Sequence, residues 1–207
     1  MKTKLFLFFL LAQLVAKAQF KLGTFSVGSE IGIRFNSFNI GNSSSNSNTV
    51  SLGVNGSVFL SKKSAVGFKI YNSTSSYNTK SFDSEYTNYN LNYQYYFPVN
   101  TKMGFYNQTD IGVSIWIPDN SKYSKFEIDQ INLSNRLGFY TFLYQGLAVK
   151  VNYNLVGYSN YILKQSTLFN KSEYISNSFY LNLNPLQNIG DLQVAFVYYF
   201  NLKNNDK

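Results

Sequence analysis

Residues 24–36 read TFSVGSEIGIRFN, alternating apolar and polar side chains almost without a break. A period of two marks a β-strand with two unlike faces. One face carries Phe25, Val27, Ile31, Ile33 and Phe35, while the other carries small or polar residues together with Glu30 and Arg34. Whether the apolar face looks at a protein core or at lipid decides the architecture, and the remaining strands supply the comparison.

The same period continues along the chain, and helical spacing is nowhere sustained. It predicts eight strands, near 23–36, 49–60, 65–75, 86–97, 103–116, 127–142, 147–158 and 178–200. Short links, SKKS (61–64), PVNTK (98–102) and LYQG (143–146), alternate with long polar ones over 37–48, 76–85, 118–126 and 159–176. Strict alternation puts every short turn at one end and all four long loops at the other, the plan of an up-and-down antiparallel barrel in a bacterial outer membrane. In the last strand Phe179, Leu181 and Leu183 have odd parity but Leu192 to Phe200 even parity, so a bulge or break is expected within NPLQNIGD (184–191), at Pro185.

An eight-stranded interior is just wide enough to be filled by side chains or to hold one small ligand. Four or five Phe, Tyr, Leu, Ile or Val residues pointing inward from nearly every strand would overfill it. The opposite face fits better, with Gly28, Glu30, Gly32 and Arg34 on the first strand and Asn88, Asn90, Asn92 and Gln94 on the fourth. The apolar face therefore points out, and the fold class is all-β: an eight-stranded antiparallel up-and-down transmembrane β-barrel. A soluble periplasmic lipocalin-like ligand-binding barrel, apolar face inward, is the alternative.

With that orientation, Glu30, Asp110 and Asp191 face Arg34, Lys69, Arg136 and Lys150 across the lumen, a nearly balanced polar network. Glu30 and Arg34 stand about 13 Å apart along one strand at ~3.3 Å per residue, so each needs a partner elsewhere. Asp110 and Arg136 fall at matching heights on adjacent strands and are the best single pair. Asn107, Thr109 and Asn135 land on the outward face, which points to a register shift or bulge there. Tyr95, Tyr96 and Phe97 at the turn end, and Trp116 and Tyr158 at the loop end, read as interfacial girdles. Tyr77, Tyr86, Tyr123, Tyr161 and Tyr174 fall in the loops, where they could stack on sugars.

The N-terminus carries the export signal. MKTK is a basic n-region, Leu5–Val15 a short apolar stretch, and Ala16-Lys17-Ala18 a small-x-small site, so cleavage is expected between Ala18 and Gln19. The chain then divides into a signal peptide (1–18) and one barrel domain with a short tail (19–207). Three of the 18 basic residues precede the cleavage site, so the mature charge falls from +8 to +5. No basic run remains, and no nucleic acid is expected as a partner. With 18% aromatic and 14% charged residues, the composition is unlike that of a water-exposed surface.

The AKA-Q site, the alternating strands and the closing segment LQVAFVYYF (192–200) together resemble the outer-membrane β-barrel domain family, the small eight-stranded OmpA/OmpX-like barrels, in their Asn/Tyr/Lys-rich Bacteroidota type. In that family the last strand ends on an aromatic residue recognised during assembly. The resemblance implies that Phe200 is the assembly signal and that outer-membrane lipid and the barrel-assembly machinery are partners.

Catalysis has little to work with. There is no His and no Cys, which excludes Ser-His and Cys-His chemistry and the usual zinc sites, and no cofactor or metal motif is present. The reading is a non-enzymatic outer-membrane barrel with a plugged polar lumen, structural or contacting a surface protein or glycan through four long extracellular loops. A narrow-pore channel for small solutes is the alternative function.

Overall fold

The computed structural model describes residues 20–40, 43–77, 84–117, 125–166, 171–181 and 192–200. Its elements are β1 (Phe25–Ile40), β2 (Ser43–Phe59), β3 (Ser64–Tyr77), β4 (Ser84–Pro98), β5 (Met103–Ile117), β6 (Lys125–Tyr144), β7 (Leu147–Ser166), β8 (Lys171–Leu181) and β9 (Leu192–Phe200). Every pairing is antiparallel between sequence neighbours, apart from β9, which lies between β1 and β7. β8 pairs with the upper part of β7 and β9 with its lower part, so the two occupy one position in the wall. That makes eight strand positions closed into an up-and-down barrel.

The outside is apolar. Leu52 is 59% exposed, Phe68 53% and Leu91 66%, while Glu30, Lys69, Asp110, Arg136 and Lys150 inside are at most 6% exposed. This inverts a water-soluble barrel and follows the parity of each strand. The outward apolar run of β1, Phe25 to Ile33, is about the nine residues that cross a bilayer core at a tilt. Above Ile70, β3 turns polar on its outer face too, with Asn72, Thr74 and Ser76 all exposed.

Two expectations are corrected. Two of the long polar links, 37–48 and 159–176, are largely strand: Arg34 to Ile40 pairs residue by residue with Ser43 to Thr49, and β6 and β7 run 20 residues each. The polar runs gave no contrast between faces for periodicity to detect, yet ladder hydrogen bonds need only backbone. Segments 41–42, 78–83, 118–124 and 167–170 between these strands are outside the described residues, with Tyr123 among them. Tyr77, Tyr86, Tyr161 and Tyr174 therefore belong to strands, not loops.

The break expected in the last strand is found, the strand being two pieces, β8 and β9. The register on β7 jumps from Tyr153↔Leu192 to Val156↔Leu181, and residues 182–191 lie outside the described residues, Asp191 with them.

The second correction concerns Asn107, Thr109 and Asn135. β5 and β6 pair without a shift here, so the three do face outward, half-buried. They are tolerated because they satisfy one another. The Asn107 amide donates to Asn135 Oδ1 (2.9 Å) and to the Arg136 carbonyl (3.3 Å), and the Asn135 amide donates to Asn107 Oδ1 (3.1 Å) and Thr109 Oγ1 (3.0 Å). Both amides thus place both of their hydrogens. A real bulge sits next door, where Leu155 of β7 has no opposite residue between the Asn135↔Val156 and Arg136↔Asn154 pairs.

Candidate functional site

The interior is stratified, and its lowest layer is aromatic. Lys21 to Thr24 forms a tight turn, closed by Thr24 N–H donating to the Lys21 carbonyl (3.1 Å), with Gly23 at φ +79°. A left-handed residue at that position favours glycine. The turn is tied to β2 by Gly23 N–H to the Phe59 carbonyl (3.0 Å) and Phe59 N–H to the Thr24 carbonyl (2.8 Å). It sends the preceding residue, Phe20, into the barrel, where it is 1% exposed.

Phe20 stacks on Phe59 with ring centroids 4.1 Å apart and packs against Tyr96 (4.9 Å), Tyr199 (5.2 Å), Tyr140 (6.0 Å) and Phe142 (6.1 Å). Tyr96 and Tyr106 stack at 5.7 Å. Tyr96, placed in the interfacial girdle by the sequence reading, is instead buried inside; its neighbour Tyr95 is the one exposed. Parity alone assigns Tyr96 inward, because Tyr93 and Tyr95 face out, and the same rule places Phe59, Tyr106, Tyr140 and Tyr199. Trp116 lies on β5, its side chain outside the described residues; Tyr158 is exposed on the outer face.

A narrow lumen holds such rings only where the neighbouring strand yields space. Tyr106 lies directly across from Gly138, and Tyr140 across from Gly104. A Cβ on Gly138 would come within 2.4 Å of the Tyr106 ring, and one on Gly104 within 2.8 Å of the Tyr140 hydroxyl. Higher up, Tyr71 faces Gly53 and Asn90 faces Gly112 in the same way.

Lys150 of β7 lies between the aromatic floor and the polar middle. Its Nζ donates to Tyr96 Oη (2.6 Å) and Gln94 Oε1 (3.0 Å) and lies 5.0 Å from the ring centroids of both Tyr96 and Tyr106 and 5.6 Å from that of Tyr199. Several aromatic faces around one ammonium partly replace its lost hydration.

Above it, two ion pairs share one amide. Lys69 Nζ meets Glu30 Oε1 at 2.6 Å, and Arg136 Nε meets Asp110 Oδ2 at 3.1 Å. Gln193 Oε1 accepts from Lys69 at 2.9 Å and also from the Arg136 guanidinium. The chain Glu30–Lys69–Gln193–Arg136–Asp110 thereby joins β1, β3, β9, β6 and β5. Asp110 also accepts from Gln108 (2.8 Å) and Ser134 (3.4 Å), and Glu30 from Asn55 (3.5 Å). Buried charges are costly unless paired and hydrogen-bonded, and these are both.

Of the charged residues read as lumenal, the structure thus joins Glu30, Lys69, Asp110 and Arg136, places Lys150 one layer lower, and leaves Arg34 higher on β1, half-buried. Phe200 ends β9 on the outer face, stacked on Phe25 at 4.3 Å. Gln193 was missed because an uncharged residue draws no notice in a search for ions, although its parity in the final strand points it inward.

No protein-family model and no curated protein matches the sequence. Among solved structures, the chain is similar to the crystal structure of the outer membrane protein OprG from Pseudomonas aeruginosa, with a TM-score of 0.58 and 14% identity over 88% of this chain and 98% of that one. At that identity the likeness speaks for the fold alone: an antiparallel barrel of the kind that outer-membrane protein uses.

Proposed function

We propose that the chain is an integral barrel of the bacterial outer membrane, exported behind a signal peptide cut between Ala18 and Gln19, with a closed lumen and no catalytic role. The observation that carries this reading is its polarity: charged side chains buried inside, a predominantly apolar surface outside. Only lipid is a comfortable neighbour for that exterior, because water would leave a far larger apolar patch uncovered than soluble proteins tolerate. The same packing supports a filled interior, since the ion-pair chain crosses the lumen and the rings around Phe20 lie beneath it. Function then resides on surfaces. The ribbons that continue β1–β2 and β6–β7–β8 beyond the apolar band are the parts available to a surface protein or glycan, and Phe200 is the handle for the assembly machinery.

Membrane fractionation with a heat-modifiability gel tests location. Recovery of the mature protein with outer membranes, migrating differently when unboiled, is the expected result; a soluble periplasmic protein would overturn it. Planar-bilayer recording tests closure, and stable large conductance steps from the wild type would sink the filled-lumen reading.

A further inference from the structure

Among the described residues, the turn end of the barrel carries charge of one sign. Lys21 in the entry turn, Lys62 and Lys63 between β2 and β3, and Lys102 between β4 and β5 all stand on the rim, exposed or half-buried. No Asp or Glu occurs in 20–24, 60–64, 98–103 or 143–147, the described segments that build this end; the tail 201–207, with Asp206, lies outside the described residues. The opposite connections mix signs, with Lys80 beside Asp83 and Lys122 beside Asp119. Among the described residues, the two carboxylates in the barrel interior, Glu30 and Asp110, are already engaged by Lys69 and Arg136.

The rim is apolar as well as basic. Leu22 is 73% exposed, Leu60 52% and Tyr144 75%. Leu22 is next to Lys21, and Leu60 stands two residues from Lys62 with only Ser61 between, so the hydrocarbon-facing surface lies close to the ammonium groups. A lysine in that position lays its methylenes along apolar surface and lifts its charge to headgroup depth. The lysines occupy the β1-to-β5 side of the rim, whereas the β6–β7 turn supplies Tyr144 and no charge.

We propose that this rim binds anionic phospholipid headgroups, with Lys21, Lys62, Lys63 and Lys102 pairing with phosphates of the leaflet nearest the turns. The proposal rests on the bilayer-spanning reading and goes beyond it by naming a lipid class and a side of the membrane. Clustered lysines beside an apolar belt gain from a negative leaflet and gain nothing specific from a zwitterionic one.

The test is refolding of the mature protein into phosphatidylcholine vesicles, alone and with about a third phosphatidylglycerol, following thermal unfolding by the mobility of the unboiled band. The wild type should unfold ~5 °C higher in the anionic vesicles. A variant with all four lysines changed to Gln should lose that increment, and one with all four changed to Arg should keep it. Salt at about 1 M, where screening acts within ~3 Å, should shrink it. Equal midpoints for the wild type in both vesicles, or an unchanged increment in the Gln variant, would overturn the proposal. So would a soluble polyglutamate that reproduces the increment in phosphatidylcholine alone, which would make an anionic polymer the occupant. Absence of a heat-modifiable band in either vesicle would instead bring down the barrel reading, and this proposal with it.

Discussion

Gln193 is the residue on which two ion pairs converge, because its Oε1 accepts from both Lys69 and Arg136. Replacing it by Leu removes the acceptor but leaves both cations, so Gln193→Leu should cost about 2–3 kcal/mol, as for a buried hydrogen bond to charge. The Asp110–Arg136 pair should behave non-additively. Asp110→Asn or Arg136→Gln alone strands a buried charge and should cost about 3–5 kcal/mol, whereas the double variant should cost less than the two together. Urea unfolding of the refolded barrel checks all three, and additive losses would mean that the side chains do not communicate. At this scale the sequence was legible where chemistry and parity agree. Asp110 and Arg136 could be matched by height, whereas Lys69 reached Glu30 across β2, and strand-neighbour reasoning does not look two strands away. Gln193 and the buried tyrosines obeyed parity, but their residue types did not advertise it.

The β5–β6 pair concentrates the local rules. On its inner face Tyr106 and Tyr140 each lie over a glycine of the facing strand, and on its outer face Asn107, Thr109 and Asn135 form their hydrogen-bonded cluster. Gly138→Ala drives a methyl group into the Tyr106 ring and should cost about 1–3 kcal/mol as overpacking does; a shifted thermal midpoint of the unboiled band would register it. Asn135→Leu should cost about 1–3 kcal/mol by leaving Asn107 without its partner in an apolar setting. Adding Asn107→Leu should then restore part of that loss, and a double variant worse than Asn135→Leu alone would contradict the mutual-satisfaction account. Strand existence and facing were readable from the sequence throughout the apolar band. Strand length was not, because in runs such as SSSNSN both faces are alike and pairing leaves no periodic trace. The Leu155 bulge was equally silent, since it shows only when β6 and β7 are laid side by side.

For the molecule as a whole, apolar outside and charged inside was the inference that a single strand could already support, and it follows from the volume an eight-stranded lumen offers. How rings gather at the turn end was not legible. Phe20 lies outside any strand, and only the Gly23 turn sends it inward. Phe20→Ala should remove about 3–5 kcal/mol of stability by leaving a cavity among rings. In planar bilayers it should also show more frequent current events than the wild type; identical stability and identical silence would mean that the aromatic floor does not depend on its central ring.

That floor also fixes an order of events. Phe20 touches rings from β2, β4, β6 and β9 at once, so its seat does not exist until the final strand has joined the first. Made before every described strand, it is the last to find its place. It behaves as a keystone, and its burial reports that the circle of strands is complete.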